Sequence, residues 1–331
     1  MNFPYANRRE DTVLNLGRLR MLHQLSVLGT ISAVAANLNL TRPAISQQLA
    51  QLEGEVGAVL FERNGRGVQL TAAGWRLVAR AATLFELVEN IEAELAASTR
   101  AVSGEVRLAA FGSPAMSLVP RLFSEFAQTH PQLDILFTEM KPDDGLRAAA
   151  TRQVDLAVVD DQVSPGSMAG SLELHPLCVD HYGVAIAAGH PLAGKRSIRL
   201  SELAQERWAM GRDGVAHYSF LMSACYASGF TPHVVSKCAN MAARLELVRS
   251  GVAVTILPWL ALRVLERDPD FRLIPVSPTL SRQIFAALPR GSSHRPAVAT
   301  VLSALQRAAK DVTEEQKGKT AGVDAFSVAA R

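Results

Sequence analysis

TRPAISQQLAQLE, residues 41–53, reads as a helix with a well-marked start. Thr41 is a good N-cap, because its hydroxyl can accept the backbone N–H of Ala44. Pro43 has no N–H to offer, and in the first turn of a helix that missing donor costs nothing. Ile45, Leu49 and Leu52 recur at helical spacing and make one apolar face. Arg42, Ser46, Gln47 and Gln51 fall on other faces and end in hydrogen-bonding groups. A short helix with an apolar back and a polar, largely uncharged front suits insertion into a DNA major groove. An ordinary amphipathic surface helix would show the same pattern, so the flanking residues decide.

Upstream, Leu19, Leu22, Leu25 and Leu28 make a helical stripe closed by Gly29. A compact Ala-rich helix follows from Ile31, and Asn39 can take the left-handed conformation that ends it. Two short helices joined by a tight turn are a helix-turn-helix, and the alanines let them cross closely. Downstream, Val56, Leu60 and Phe61 continue an apolar face. The run ERNGRGVQL, residues 62–70, has the glycines and asparagine of a hairpin turn between strand residues. Such a wing would carry Arg63 and Arg66 towards a phosphate backbone or minor groove.

Residues 19–74 resemble, without a gap, the winged helix-turn-helix of the LysR-type transcriptional regulators. The most specific pieces are Ala44-x-Ser46, Leu52-Glu53, Leu60-Phe61-x-Arg63 and Leu70-Thr71-x-Ala73-Gly74. The resemblance implies a sequence-specific DNA-binding regulator whose contacts to an interrupted palindrome come from Thr41, Arg42, Pro43, Ser46, Gln47, Gln51, Arg63 and Arg66. It implies a homodimer or homotetramer, RNA polymerase as a further partner, and no cofactor. The family commonly has glutamine where this chain has Arg42, so the base preference at that contact is expected to differ.

The chain of 331 residues is long enough for two or three domains, and 48% hydrophobic content marks it as globular. No apolar run approaches the roughly 20 residues of a membrane helix, and the start does not resemble a secretory signal, so a cytoplasmic location is expected. Three cysteines, Cys178, Cys225 and Cys238, are an odd number and too few for a disulfide framework. They read as buried, inert thiols; a redox pair of Cys225 and Cys238 is the alternative that peroxide-sensing relatives suggest. A formal net charge of +3 does not by itself flag nucleic-acid binding, so any basic patch must be local. Residues 1–15 are polar and irregular and precede the resemblance, and they are expected to form a disordered arm. The winged helix-turn-helix is placed at 16–74.

Between 75 and 98, Leu77, Ala81, Leu84, Val88, Ile91 and Leu95 alternate steps of four and three, a heptad seam that suits a dimerising coiled coil. Packing on its own domain is the competing reading. Glu86, Glu89, Glu92 and Glu94 are expected to form a solvated acidic side, and 98–104 to form a hinge, the linker and hinge together filling 75–103.

From Glu105 the pattern changes to alternating strands and helices, an α/β domain. It resembles the effector domain of the same family, a two-subdomain fold similar to periplasmic binding proteins, with two crossover segments near 175–177 and 271–275. The domain is placed at 104–310, one subdomain taking about 104–175 and 276–310 and the other about 176–275. The polar tail 311–331 is expected to be disordered. The fold class is therefore α/β with an N-terminal all-α winged helix-turn-helix. The resemblance implies a small-molecule effector in the cleft between subdomains. Residues 112–116, Gly112, Ser113, Pro114, Ala115 and Met116, place a helix start there, which suits an anionic group. Asn240 and Met241 would face it, Arg212 would add to a wall, and Asp160 reads as a loop or ligand contact. Cleft closure would reach DNA by repacking the subunits.

No catalytic or metal-binding pattern stands out: the histidines are scattered, and the phosphate-binding loop and the nucleophile elbow are missing. The chain reads as a regulator rather than an enzyme. A ligand-independent DNA-binding regulator with a filled cleft is one alternative. A solute-binding protein or enzyme, with the α/β part primary, is another.

Overall fold

A computed structural model describes residues 14–65, 67–97, 102–213, 216–264 and 268–325. Most of the expected N-terminal arm, together with Arg66 and the core of the expected hinge, lies outside the described residues.

The first unit is built from α1 (Leu16–Leu28), α2 (Ile31–Asn37), α3 (Arg42–Val56), a hairpin of β1 (Phe61–Asn64) and β2 (Gly67–Leu70), and α4 (Ala72–Ala97). Local chemistry sets each boundary. Thr30 caps α2 through the N–H of Ala33 at 3.1 Å, and Thr41 caps α3 through that of Ala44 at 3.4 Å. Asn39 does turn left-handed, with φ 53°, between the two helices. The Glu53 carboxylate accepts the N–H groups of Leu60 (2.7 Å) and Phe61 (3.4 Å) and so starts the wing strand from the end of α3. Thr71 opens α4 by accepting the N–H of Gly74 at 3.0 Å. A Cβ on Gly74 would lie 2.1 Å from the carbonyl oxygen of Leu60, so only glycine lets α4 pass the wing this closely. Leu19, Leu22, Val34, Ile45, Leu49, Leu52 and Leu60 close the core.

The rest of the described chain forms a twisted mixed sheet in the order β4-β3-β5-β12-β6-β11-β7, with β10 also on β6. Its strands are β3 (Gly104–Ala110), β4 (Leu133–Glu139), β5 (Leu156–Asp160), β6 (Leu172–Ala187), β7 (Ile198–Arg199), β10 (Thr255–Pro258), β11 (Phe271–Ser277) and β12 (Ser281–Pro289). A small parallel pair, β8 (Arg207–Met210) and β9 (His233–Lys237), stands apart. The helices are α5 (Gly112–Ser117), α6 (Val119–Thr129), α7 (Pro142–Ala150), α8 (Ala216–Ala227), α9 (Met241–Arg249) and α10 (Pro296–Ala325). One apolar core gathers around Leu108, Leu122, Val158 and Leu305, another around Tyr182, Trp208, Leu221 and Ile256.

Three expectations need correction here. The segment at 175–177 is not a separate connection but part of one 16-residue strand, β6, whose first part pairs with β12 and whose second part pairs with β10 and β11. Residues 271–275 do not cross between subdomains; they lie in β11 beside β6, and the chain crosses back on entering β12. The expected disordered tail is helical as far as Ala325, because α10 runs on: Val312 is buried in the first core, and Arg121 pairs with Glu315 at 2.7 Å.

The winged helix is docked on the α/β unit of the same chain. The Nε2 of His23 on α1 lies 2.6 Å from the Ser171 hydroxyl, and Gln24 donates to the carbonyl of Thr151 at 3.3 Å. Glu89 on α4 is buried, not solvated, and forms an ion pair with Arg152, a residue held left-handed at φ 61° just past α7. Gly291, at φ 85°, sits so close to α4 that a Cβ would meet the backbone oxygen of Glu86 at 3.3 Å.

His23 makes this docking pH-dependent. Burial, then Arg152 and Arg20, pull its pKa down to about 4, so the docked imidazole is neutral. The undocked ring, near its ordinary 6.5, binds a proton that the docked ring refuses. Docking is therefore at full strength above about pH 6.5 and is lost as pH falls towards 4. Between pH 7 and 5 the loss is expected to be about 2 kcal/mol. Protection factors of the α1 amides, which remove the intrinsic slowing of exchange at lower pH, should fall over that range in wild type and not in His23→Gln. An equal fall in both would assign the effect to another group.

Candidate functional site

The first site is the outer face of α3. Thr41, Arg42, Pro43, Ser46, Gln47 and Gln51 are all exposed, while Ile45, Leu49 and Leu52 are fully buried behind them. The helix stays in place because Arg18 on α1 donates to Gln48 at 2.9 Å and pairs with Glu55. Arg63 lies on β1 opposite Val68, which places its backbone in the wing. Arg66 lies outside the described residues.

Arg42 stands exposed at the first position of α3. Arginine is the best bidentate partner of guanine, whereas glutamine prefers adenine. Arg42→Gln is expected to change the preferred base at one position of each half-site, by about 1–3 kcal/mol, in binding titrations against single-base operator variants. A uniform loss over all variants would make Arg42 a phosphate contact.

The seam on α4 divides. Ala81 is buried in the winged-helix core and Leu77 packs against it, so these two face their own domain. Further along, Leu84, Leu87, Ile91 and Leu95 are exposed and Val88 is half-buried. The available apolar stripe is thus the C-terminal half of α4, where Leu87 joins the expected set.

The second site is the cleft between the two α/β halves. Three adjoining cavities of about 550, 470 and 250 Å³ share Phe111 and His217. Gly112, Ser113, Met116, Asn240 and Met241 line the largest, Arg212 the second, and Asp160 the third. Pro114 is buried and Ala115 packs into the neighbouring core, so neither lines a cavity. Asn240 spends its side-chain oxygen on the N–H of Ala242, at 2.9 Å, as the cap of α9.

At the centre of the cleft stands Arg282. It faces Asp180 directly across the β12–β6 pair. Its Nε and Nη2 donate to one Asp180 oxygen at 3.0 and 2.8 Å, its Nη1 to Asp160 at 3.1 Å, and its Nη2 also to the Ser113 hydroxyl at 2.5 Å. Its guanidinium lies 4.8 Å from the Phe111 ring centre and 5.5 Å from that of Tyr182. Burial pushes the carboxyls of Asp160 and Asp180 up, and the Arg282 charge opposes it. Burial lowers the pKa of Arg282, but Asp180, Tyr182 and Asp160 outweigh that and raise it. Ser113 thus accepts from Arg282 while it lines the largest cavity.

Tyr182 stacks on His217, 5.4 Å between ring centres, and its hydroxyl accepts from Gln162 at 3.1 Å. Burial, then Arg282 and Arg244, lower the His217 pKa to about 3, so this ring is neutral. Arg282, Asp180, Tyr182, His217 and Arg244 were not legible as site residues in the sequence. The one available signal was the isolated charges Asp180 and Arg282, each beside a strongly apolar strand, but only strand register pairs them. The cysteines are all free thiols, and burial holds Cys178 and Cys225 up at about 12, which leaves both poor nucleophiles.

A winged helix with a polar groove-facing helix, joined to a cleft between two α/β halves, defines a DNA-binding protein with a small-molecule-binding domain. Residues 16–75 match the bacterial regulatory helix-turn-helix of the lysR family, and 99–310 match the LysR substrate binding domain, so the chain belongs to the LysR family of transcriptional regulators. It is 25% identical over 286 residues to the transcriptional dual regulator GltC of Bacillus subtilis, covering 86% of this chain and 93% of that one. It is 28% identical over 237 residues to a probable hydrogen peroxide-inducible genes activator of Mycobacterium leprae, covering 71% and 75%. Among solved structures it is similar to a full-length OxyR variant of Pseudomonas aeruginosa, with TM-score 0.63, 21% identity and 89% and 98% of the two chains covered. It is also similar to full-length CbnR complexed with its target DNA, with TM-score 0.52, 22% identity and 89% and 99% covered.

Proposed function

We propose that a small molecule held in the cleft controls how this regulator engages DNA, and that the signal reaches the winged helix within one chain through α7. The observation that carries this is the position of α7. Pro142, Asp143 and Asp144 of its first turn and Arg147 one turn on wall the cleft, and immediately after its last residue Thr151 and Arg152 hold Gln24 and Glu89 of the DNA-binding unit. A nine-residue helix moves as one body, so a shift at the cleft is felt at α1 and α4. Repacking between subunits would add to this route.

The reading includes two winged helices paired through the exposed stripe on α4, half-sites in inverted repeat, and a cytoplasmic location where DNA and RNA polymerase are available. No helix among the described residues is long and apolar enough to cross a membrane. Side chains fill only part of the cleft, since three cavities remain, two of them lined by Arg282. That favours a ligand-responsive regulator over one with a closed, silent cleft.

The test is a pair of backgrounds. Ala216→Trp fills the cavity that α7 walls, from a half-buried position at the start of α8. In the docked wild-type background it is expected to change operator affinity at least about 5-fold, the low end of ordinary coupling. With Gln24→Ala and Arg152→Ala together, the same filling should change it little. Equal effects in both backgrounds would mean that α7 docking is not the route.

A further inference from the structure

We propose that Arg244 is the anchor for a small monocarboxylate with an apolar body, bound in the largest cavity of the cleft. The inference rests on the cleft being the effector site and assigns its ligand class.

Arg244 projects from α9 and is only 8% exposed. Its Nε and Nη1 are shut off from solvent, and neither has a hydrogen-bond partner. Among the described residues no carboxylate pairs with it. The contrast with Arg282 is direct. Arg282 is 5% exposed in the same cleft, and two aspartates and a serine satisfy it. One buried guanidinium is fully matched, and the other has nothing. A buried charge without a partner is expensive, and burial lowers the pKa of Arg244 accordingly. An incoming anion would remove that penalty.

The surroundings narrow the ligand. The planar fork of arginine matches a carboxylate with two parallel hydrogen bonds. The start of α9, with Asn240, Met241 and Ala242, faces the same cavity, and the positive end of a helix dipole favours the same charge. Phe111, Met116, Met241, Leu245, Pro258 and Ala261 supply an apolar wall for the rest of the molecule. About 550 Å³ accommodates a ring or a branched chain. Glu139 is an exposed residue of the same lining, next to Gly112, and its carboxylate disfavours a second negative group on the ligand. The combination selects one carboxylate on an apolar body and selects against phosphate and dicarboxylates.

The experiment uses the full chain and four probes: benzoate, isovalerate, the neutral isostere benzamide, and inorganic phosphate. Calorimetric titration should give millimolar or tighter binding of benzoate or isovalerate, and no measurable binding of benzamide or phosphate. Arg244→Met should weaken carboxylate binding at least about 30-fold, the worth of hydrogen bonds to a charged group. Without ligand, Arg244→Met should unfold at or above the wild-type midpoint, because a thioether replaces a buried charge that has no partner. A clear drop in that midpoint would make Arg244 structural and overturn the proposal. Binding of phosphate but of neither carboxylate would overturn the class, as would no binding of either carboxylate. Carboxylate binding lost in Ala242→Trp, which fills the largest cavity from an exposed position on α9, but kept in Arg244→Met would leave the cleft as the site and remove Arg244 as its anchor. Binding unchanged in both variants would remove the cleft itself.

Discussion

Arg282→Leu is expected to destabilise the protein by about 3–5 kcal/mol, the usual consequence of removing one partner from a buried ion pair. The reason is what it leaves behind. Asp160 and Asp180 are each almost fully buried, and Arg282 supplies the neutralising charge to both. Leucine fills most of the volume but leaves two adjacent carboxylates in a low-dielectric site. Burial already pushes both carboxyls up, and the variant loses the charge that most opposes it, leaving mainly the backbone N–H groups of Gln162 and Leu260. Acids with raised folded-state pKa values destabilise the fold at high pH, and the penalty shrinks as pH falls through those raised values. The deficit measured by urea unfolding should therefore be largest near neutrality and smaller towards pH 5. Asp180→Asn in the same background should recover part of it, as coupled neighbours do. A deficit under about 1 kcal/mol at pH 7 would mean that the cluster is not holding the two halves of the cleft together.

The second large effect is on assembly. Ile91 is 50% exposed, in line with Leu84, Leu87 and Leu95 on the outer side of α4. Leu84, Val88, Ile91 and Leu95 keep the alternating steps of four and three of a two-helix seam, with Leu87 beside it, and so much exposed apolar surface suits an interaction face. Ile91→Glu places a charge in the middle of it and disturbs nothing in the winged-helix core. The expected result is a monomer in sedimentation velocity, with operator affinity down at least about 100-fold, because the second half-site no longer gains from the first. A dimer of unchanged affinity would put the main interface elsewhere.

The winged helix could be read from sequence almost residue by residue, because its signals are local. Thr41, Pro43 and Asn39 act on their own neighbours, and Glu53 reaches only eight residues ahead. The α/β order was legible for a similar reason, since strands and helices alternate with clear punctuation. What stayed hidden depends on partners distant in the chain. Glu89 looks like one more glutamate on a solvated face, and only the fold brings Arg152 to it. Arg282 and Asp180, 102 residues apart, meet through the register of β12 on β6. Ala81 fits a heptad as well as it fits a core, and spacing cannot separate two faces when both are apolar. Ser113 shows the limit for sites: its place at a helix start was visible, but not that Arg282 already occupies its hydroxyl.

In vitro selection with the full chain and a pool of random duplex DNA tests the central claim most directly. In the proposed reading, two α3 helices carried by paired α4 helices would read major grooves on one face of the duplex. The selected sequences should therefore converge on an inverted repeat, its half-site centres separated by whole helical turns of about 10–10.5 base pairs each. No enrichment, or a single half-site with no repeat, would contradict the account.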